Sequence, residues 1–332
     1  MPSPSARPRS AVSRLPLVLW ALFIAAGAAA LSAALVPAGP EWLGDAGAVV
    51  VASGYVWALA ARTGGRPLIF GGLTLAVGVL VQVLDEDYLR TGAAVMTCVV
   101  TAVFGVMATV PAVTYLQAIR ECVIAVVLCS IGALATVGFE PTITVSRFEY
   151  ATFGLALVGA FLMVYRLGAG LHGLGRRGVV IVVVGGVLVA VSVLYAELLR
   201  RYGTPGLVEG LLDAVRWSRD NLGAFPRPIE TILGIPALAY GCHMRARRRQ
   251  GWWVCAFGVA GTAAVANALA NPAISFEESG LSVVYGLVIG LVFGYVVTRL
   301  DLALTGAKGR GRRVAEQAAA LRPEPRRTEP LL

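Results

Sequence analysis

Few side chains in this sequence could do chemistry, and their spacing excludes the familiar kinds. Cys98, Cys122, Cys129, Cys242 and Cys255 include no C-x-x-C pair, which excludes a zinc ribbon and a thioredoxin-type dithiol. Each lies in or beside an apolar stretch, the setting of a small buried hydrophobe. His172 and His243 are the only histidines, and neither belongs to an H-E-x-x-H or related ligand pattern. His172 falls in an expected loop, so ligation of a haem by both histidines from facing helices is not expected. No Walker A sequence is present, and no Ser/His, paired-Asp or zinc constellation can be assembled. The expectation is therefore of no catalytic centre, no metal and no cofactor.

Milder candidates remain. Asn267 and Asn271 are four apart, hence on one helix face, and Asn267 offers both a donor and an acceptor. Asn271-Pro272-Ala273 spells the NPA tripeptide of aquaporins, but the second copy and the six-span frame are missing, so the match is a coincidence. Gly234-Ile235-Pro236 interrupts a short apolar stretch, and a broken helix of this kind is a sequence pointer to a transporter binding site. Asp45, Glu149, Glu197 and Glu230 are read near the outer ends of their spans, and Glu121, Arg166, Arg299 and Asp301 near the inner ends. No ionisable residue is read at the middle of any span. Asp45 comes closest, about seven residues or roughly 10 Å from the centre. If there is a site, the expected one is bounded by Pro236 and Asn267 and approached past Asp45 and Glu230.

The elements that must position these residues follow from composition. Of 332 residues 57% are hydrophobic and only 14% charged, with mean hydropathy +0.76. Soluble domains carry about 25% charged residues, so this much apolar surface excludes a single water-soluble core, a disordered protein and a secreted disulfide scaffold. The expected fold is an all-α polytopic membrane protein. Ten stretches approach the roughly 20 apolar residues that a spanning helix needs: 15–36, 42–61, 67–84, 92–111, 119–138, 150–168, 178–199, 229–244, 251–271 and 280–303. The first run is about 22 residues, longer than the h-region of a signal peptide, and predicts a retained helix. With a cytoplasmic N-terminus, 21 of the 28 basic residues fall inside and 7 outside. The positive-inside rule then places both termini in the cytoplasm. The net charge of +9 has the same origin, so no nucleic-acid partner is expected.

Three further segments stand out. In the long outer connection, Leu207, Val208, Leu211, Leu212 and Val215 recur at helical spacing and predict an amphipathic helix near 206–222. Ser282, Gly286, Gly290, Gly294 and Thr298 recur at every fourth position of the last span, a small-residue stripe for close helix packing, internal or between copies. Gly258, Thr262, Ala266 and Ala270 form a similar stripe on the ninth. Residues 1–14 read as a basic cytoplasmic N-terminus, 15–305 as the bundle and 306–332 as a disordered basic tail. The expected partners are the lipid bilayer, anionic headgroups at the inner arginine clusters, and a second copy or another membrane protein.

Three functional readings survive. The first is a transporter of a small neutral or weakly polar solute, whose outline is similar to that of ten-span drug/metabolite exporters by architecture alone. The second is a non-catalytic membrane scaffold, and the third a lipid-modifying enzyme. The topology is directly checkable. Reporters fused after Arg249 and after Arg313 should read cytoplasm, and one within 206–223 should read outside; an external reading at Arg249 overturns the span count.

Overall fold

The computed structural model describes residues 15–36, 40, 42–169, 175–248, 251–305 and 324–331. The basic N-terminus at 1–14, His172, Arg249 and the arginines around Lys308 lie outside the described residues. Among the described residues every regular element is helical. They are α1 (Leu15–Leu35), α2 (Trp42–Arg62), α3 (Pro67–Leu84), α4 (Asp87–Met107), α5 (Tyr115–Gly138), α6 (Val145–Val164), α7 (Gly175–Tyr202), α8 (Pro205–Leu222), α9 (Ile235–Arg245), α10 (Gly251–Phe257), α11 (Val259–Leu269) and α12 (Phe276–Thr305). Two π-helical turns, Tyr165–Ala169 and Ile229–Gly234, follow α6 and precede α9. Among the described residues, eight helices are long and apolar enough to cross a bilayer. The expected stretch 178–199 falls within α7, and 229–244 is the second π-turn joined to α9.

Helix ends depart from the apolar stretches for local reasons. Hydropathy marks the oily part of a helix, whereas capping marks where it starts. Tyr115 opens α5 four residues before the expected 119, because Thr114 and Gln117 form a reciprocal capping box. Asp87 opens α4 five residues before 92, and α4 stops at Met107, short of Pro111, whose ring disfavours helix at the residue before it. Pro205 opens α8, and Gly223, at φ +77°, closes it in the left-handed conformation. The expected amphipathic helix near 206–222 is therefore α8, with Leu207, Leu211 and Leu212 exposed and Asp213 bonded to Arg216 at 2.8 Å.

Packing places one helix pair at the centre. Every residue from Gly251 to Leu269 is buried, which its Ala, Gly and Val content permits because small side chains let neighbouring backbones approach. The pair breaks at Gly258, where a Cβ would meet Leu238 at 2.9 Å. Around it lie α4, α5, α6, α9 and α12. A second group packs α1 and α2 on α4 and α5 through Ile24, Val51, Tyr55, Phe104 and Phe139. Leu68, Val83, Val187, Val292 and Leu304 point outward, the apolar exterior expected of a chain solvated by lipid.

The stripe on α12 faces inward. A Cβ on Gly286 would lie 2.5 Å from Glu230, one on Gly290 2.7 Å from Ile235, and one on Gly294 3.1 Å from Ala239. Gly290→Leu should therefore lower stability by about 1–3 kcal/mol through overpacking, read as a lower melting temperature in detergent. Gly72→Leu, where nothing lies within 4 Å, is the control and should leave it unchanged.

Candidate functional site

The chain has two ends, and charge separates them. Gly27 meets Val50 and Gly54 meets Ile24, so α1 and α2 are antiparallel and Leu15 lies at the same end as Arg62. The same end carries Glu121 and Arg245. At the opposite end Asp45 does not stand alone. Arg90 reaches Asp45 at 3.6 Å, Asp85 at 2.9 Å and Glu140 at 3.0 Å, an ion network across α2, α4 and the ends of α3 and α5. Also at this end, Arg227 pairs with Glu149 at 2.9 Å and Arg219 with Glu278 at 3.0 Å.

Between the ends sits the irregular eighth segment. Pro236 has no N–H to donate, and the turn before it widens to π register, with the Ile235 N–H bonded to the Glu230 carbonyl. A π-turn inserts one residue, which rotates everything upstream by about 100° relative to an unbroken α-helix. Glu230 thereby faces the bundle. It is 0% exposed, and neither carboxylate oxygen has a hydrogen-bond partner among the described residues. Its carboxyl fills the space that Gly286 leaves open on α12. Sequence reading left Glu230 near an outer end because hydropathy places a residue along the membrane normal and says nothing of facing. The available signal was a carboxylate six residues before a helix-breaking proline.

Glycines hold this segment at close range. A Cβ on Gly234 would sit 2.0 Å from the Gly261 nitrogen, so π-turn and α11 touch backbone to backbone. Gly241 meets Cys255 in the same way, and Tyr115 hydroxyl donates to the Leu291 carbonyl. One turn above Glu230, Ser282 hydroxyl donates to the Phe225 carbonyl at 2.8 Å, and Tyr285 hydroxyl to Leu222 at 2.8 Å, which ties the α8 connection to α12.

Asn267 serves another neighbour. Its side-chain oxygen accepts from Thr152 hydroxyl at 3.0 Å and from Cys98 thiol at 3.4 Å, joining α11 to α6 and α4. Gly234 opposite Gly261 puts Pro236 level with residue 259, about 12 Å along the axis from Asn267. Of the four expected site residues, then, the structure brings Glu230 and Pro236 together on one segment against α12. Asn267 turns to α4 and α6, and Asp45 joins the Arg90 network. Thr262 likewise bonds the Ala102 carbonyl at 2.9 Å.

The Arg62 end holds a cluster that sequence reading did not foresee. Arg245 is 0% exposed, lies 3.5 Å over the Trp252 ring, and donates to Thr109 hydroxyl at 2.8 Å and carbonyl at 3.1 Å. Glu121, equally buried, accepts from the Val110 N–H at 3.0 Å and pairs with Arg120 at 2.8 Å. Residues 324–331, the described part of the tail, lie on this cluster. Glu324 reaches Arg245 at 2.7 Å, Arg327 pairs with Glu121, and Arg62 donates to the carbonyls of Arg326 and Glu329 at 2.7 and 2.6 Å.

An all-helical bundle with this apolar exterior defines a multi-pass membrane protein. No protein-family model, no curated protein and no solved structure matches the chain. Asn267→Ala should cost roughly 0.6–1.7 kcal/mol, the range for hydrogen bonds between membrane helices. The check is a melting temperature lowered by a few degrees, and an unchanged one would show that the Thr152 and Cys98 contacts contribute nothing.

Proposed function

We propose that the chain is a transporter of a small neutral or weakly polar solute, and that its movement is linked to a proton carried by Glu230. The observation that supports this reading is the buried carboxyl of Glu230, without a hydrogen-bond partner among the described residues and set on a discontinuous helix. An ionised carboxylate sealed from water without donors costs several kcal/mol, whereas its protonated form does not, so intramembrane carboxyls mark coupling sites by default. Discontinuous helices mark the substrate sites of many transporters.

The chemistry follows from these parts. With the Gly286 contact closed, Glu230 holds its proton away from water. Glu230 seats in the notch of Gly286 and Ile235 in that of Gly290, and a shift of the π-turn and α9 that lifts these side chains out of their notches opens Glu230 to one end and lets the proton leave. The two protonation states thus favour two helix arrangements, which is what coupling requires. The carbonyls around Pro236, freed from α-helical bonding, offer acceptors for a solute hydroxyl or amide.

In this reading ten segments cross a cell membrane, both termini are cytoplasmic, and the Arg62 end faces the cytoplasm, as its arginines favour. Exposed arginines there, Arg120 among them, suit anionic headgroups.

One proton moving down a one-unit pH gradient supplies about 1.4 kcal/mol, enough for about a tenfold solute gradient. The test is an untargeted comparison of internal and external metabolites in a strain lacking the chain, restored with wild type or with Glu230→Gln. Wild type should shift at least one neutral solute toward that tenfold ratio. A protonophore should collapse the shift, and Glu230→Gln at equal membrane abundance should not restore it. Identical profiles with and without the wild-type chain would sink the transporter reading and favour a membrane scaffold.

A further inference from the structure

The cluster at the Arg62 end is built for an anion, and its occupant is borrowed from the chain itself. We propose that Arg62, Arg245, Thr109 and Trp252 form a binding site for a compact oxyanion, a carboxylate or phosphate group, and that residues 324–331 fill it as an internal ligand. The inference stands apart from the Glu230 reading, and either can fail alone.

The bundle by itself fixes the arginines. Arg245, the last residue of α9, is stacked on Trp252 and bonded twice to Thr109, none of which belongs to the tail. The Arg62 Nε donates to the Met107 carbonyl at 3.1 Å, again a bundle contact. A buried guanidinium needs an opposing charge, because desolvation costs several kcal/mol per ion. The carboxylate that the bundle supplies nearby, Glu121, is already taken by Arg120 and the Val110 N–H. The bundle thus gives these two buried guanidiniums neutral acceptors but, among the described residues, no paired carboxylate.

What meets them has one chemical character. Glu324 presents a carboxylate to Arg245, and Arg326 and Glu329 present carbonyl oxygens to Arg62. This segment is separated in sequence from the end of α12 by residues 306–323. The fit is incomplete. The Arg245 Nε and the second Glu324 oxygen are buried without a hydrogen-bond partner among the described residues. A carboxylate offers two oxygens and Glu324 uses one here, while a tetrahedral oxyanion carries more acceptor oxygens for the donors left over. The tail therefore occupies the site without saturating it, as a displaceable ligand does.

The experiment uses the full chain and inorganic phosphate as probe. Melting curves are recorded in detergent over a phosphate series for wild type, Glu324→Gln and the double variant Glu324→Gln/Arg245→Gln. Phosphate also stabilises proteins by exclusion from their surface, and the double variant measures that background. Glu324→Gln should show a saturable rise of about 2–4 °C above it at several times the dissociation constant. Wild type should show a smaller rise, since Glu324 competes. A Glu324→Gln curve that only follows the double variant overturns the proposal. If Glu324→Gln does not fold, a nitroxide on Thr328→Cys replaces it, usable because the five native cysteines are buried. Phosphate should then narrow its spectral lines as the tail leaves, and an unchanged spectrum across the series overturns the proposal. Nanodiscs separate the two sources of the anion. A rise with soluble phosphate in phosphatidylcholine discs identifies a free anion, and one seen only when phosphatidic acid is included identifies a lipid headgroup.

Discussion

The arrangement depends on one contact, the backbone of Gly234 against the backbone of Gly261. No side chain fits between them, and in lipid no hydrophobic effect pulls helices together, so close van der Waals approach must do that work. This crossing sets the eighth segment against the buried central pair. It also aligns the segment with the glycines of α12, so that Gly286, Gly290 and Gly294 meet Glu230, Ile235 and Ala239 in turn. The π-turn is part of the same constraint, because Pro236 removes a donor at the place where the backbones touch.

Charge is handled differently in three places. At the Asp45 end, Arg90 gathers three partly hydrated carboxylates, an arrangement worth little in stability but specific in geometry. One turn inside the Arg227–Glu149 pair, Glu230 is buried with neither carboxylate oxygen hydrogen-bonded among the described residues, an expensive arrangement within a membrane helix. At the Arg62 end, Arg245 and Glu121 are buried and their charges are balanced in part by the tail. The two places where charge is not fully balanced are the two to which proton and anion binding have been ascribed. The Asn267 contacts to Thr152 and Cys98, by contrast, are satisfied bonds between helices, and they hold α4 and α6 to the centre.

Much of the frame was legible in the residues. Apolar length marked where helices run, and errors came at their ends, where the Thr114–Gln117 capping box and Pro111 act over one turn and leave little trace in hydropathy. The small-residue stripe on α12 was legible as a packing face, and its partner was not, because a stripe encodes closeness and not identity. Asn267 and Pro236 read as neighbours because they lie on successive spans. Adjacent helices can still turn their polar groups to opposite sides, and these do. Residues 324–331 carried no signal, since their attachment rests on ion pairs and carbonyl acceptors rather than apolar burial.

By itself the sequence determined that this chain belongs in a bilayer as a bundle of helices. That conclusion is a sum over composition, and lipid allows a spanning backbone to satisfy its hydrogen bonds in few other ways. Only the tertiary structure decided which polar groups are sealed, paired or left open. Glu230 faces the bundle because a π-turn changes the helical phase, and Arg245 meets a carboxylate because a segment 79 residues away in sequence lies beside it. Facing and distant pairing depend on three-dimensional register, which no count of residue types along a chain contains.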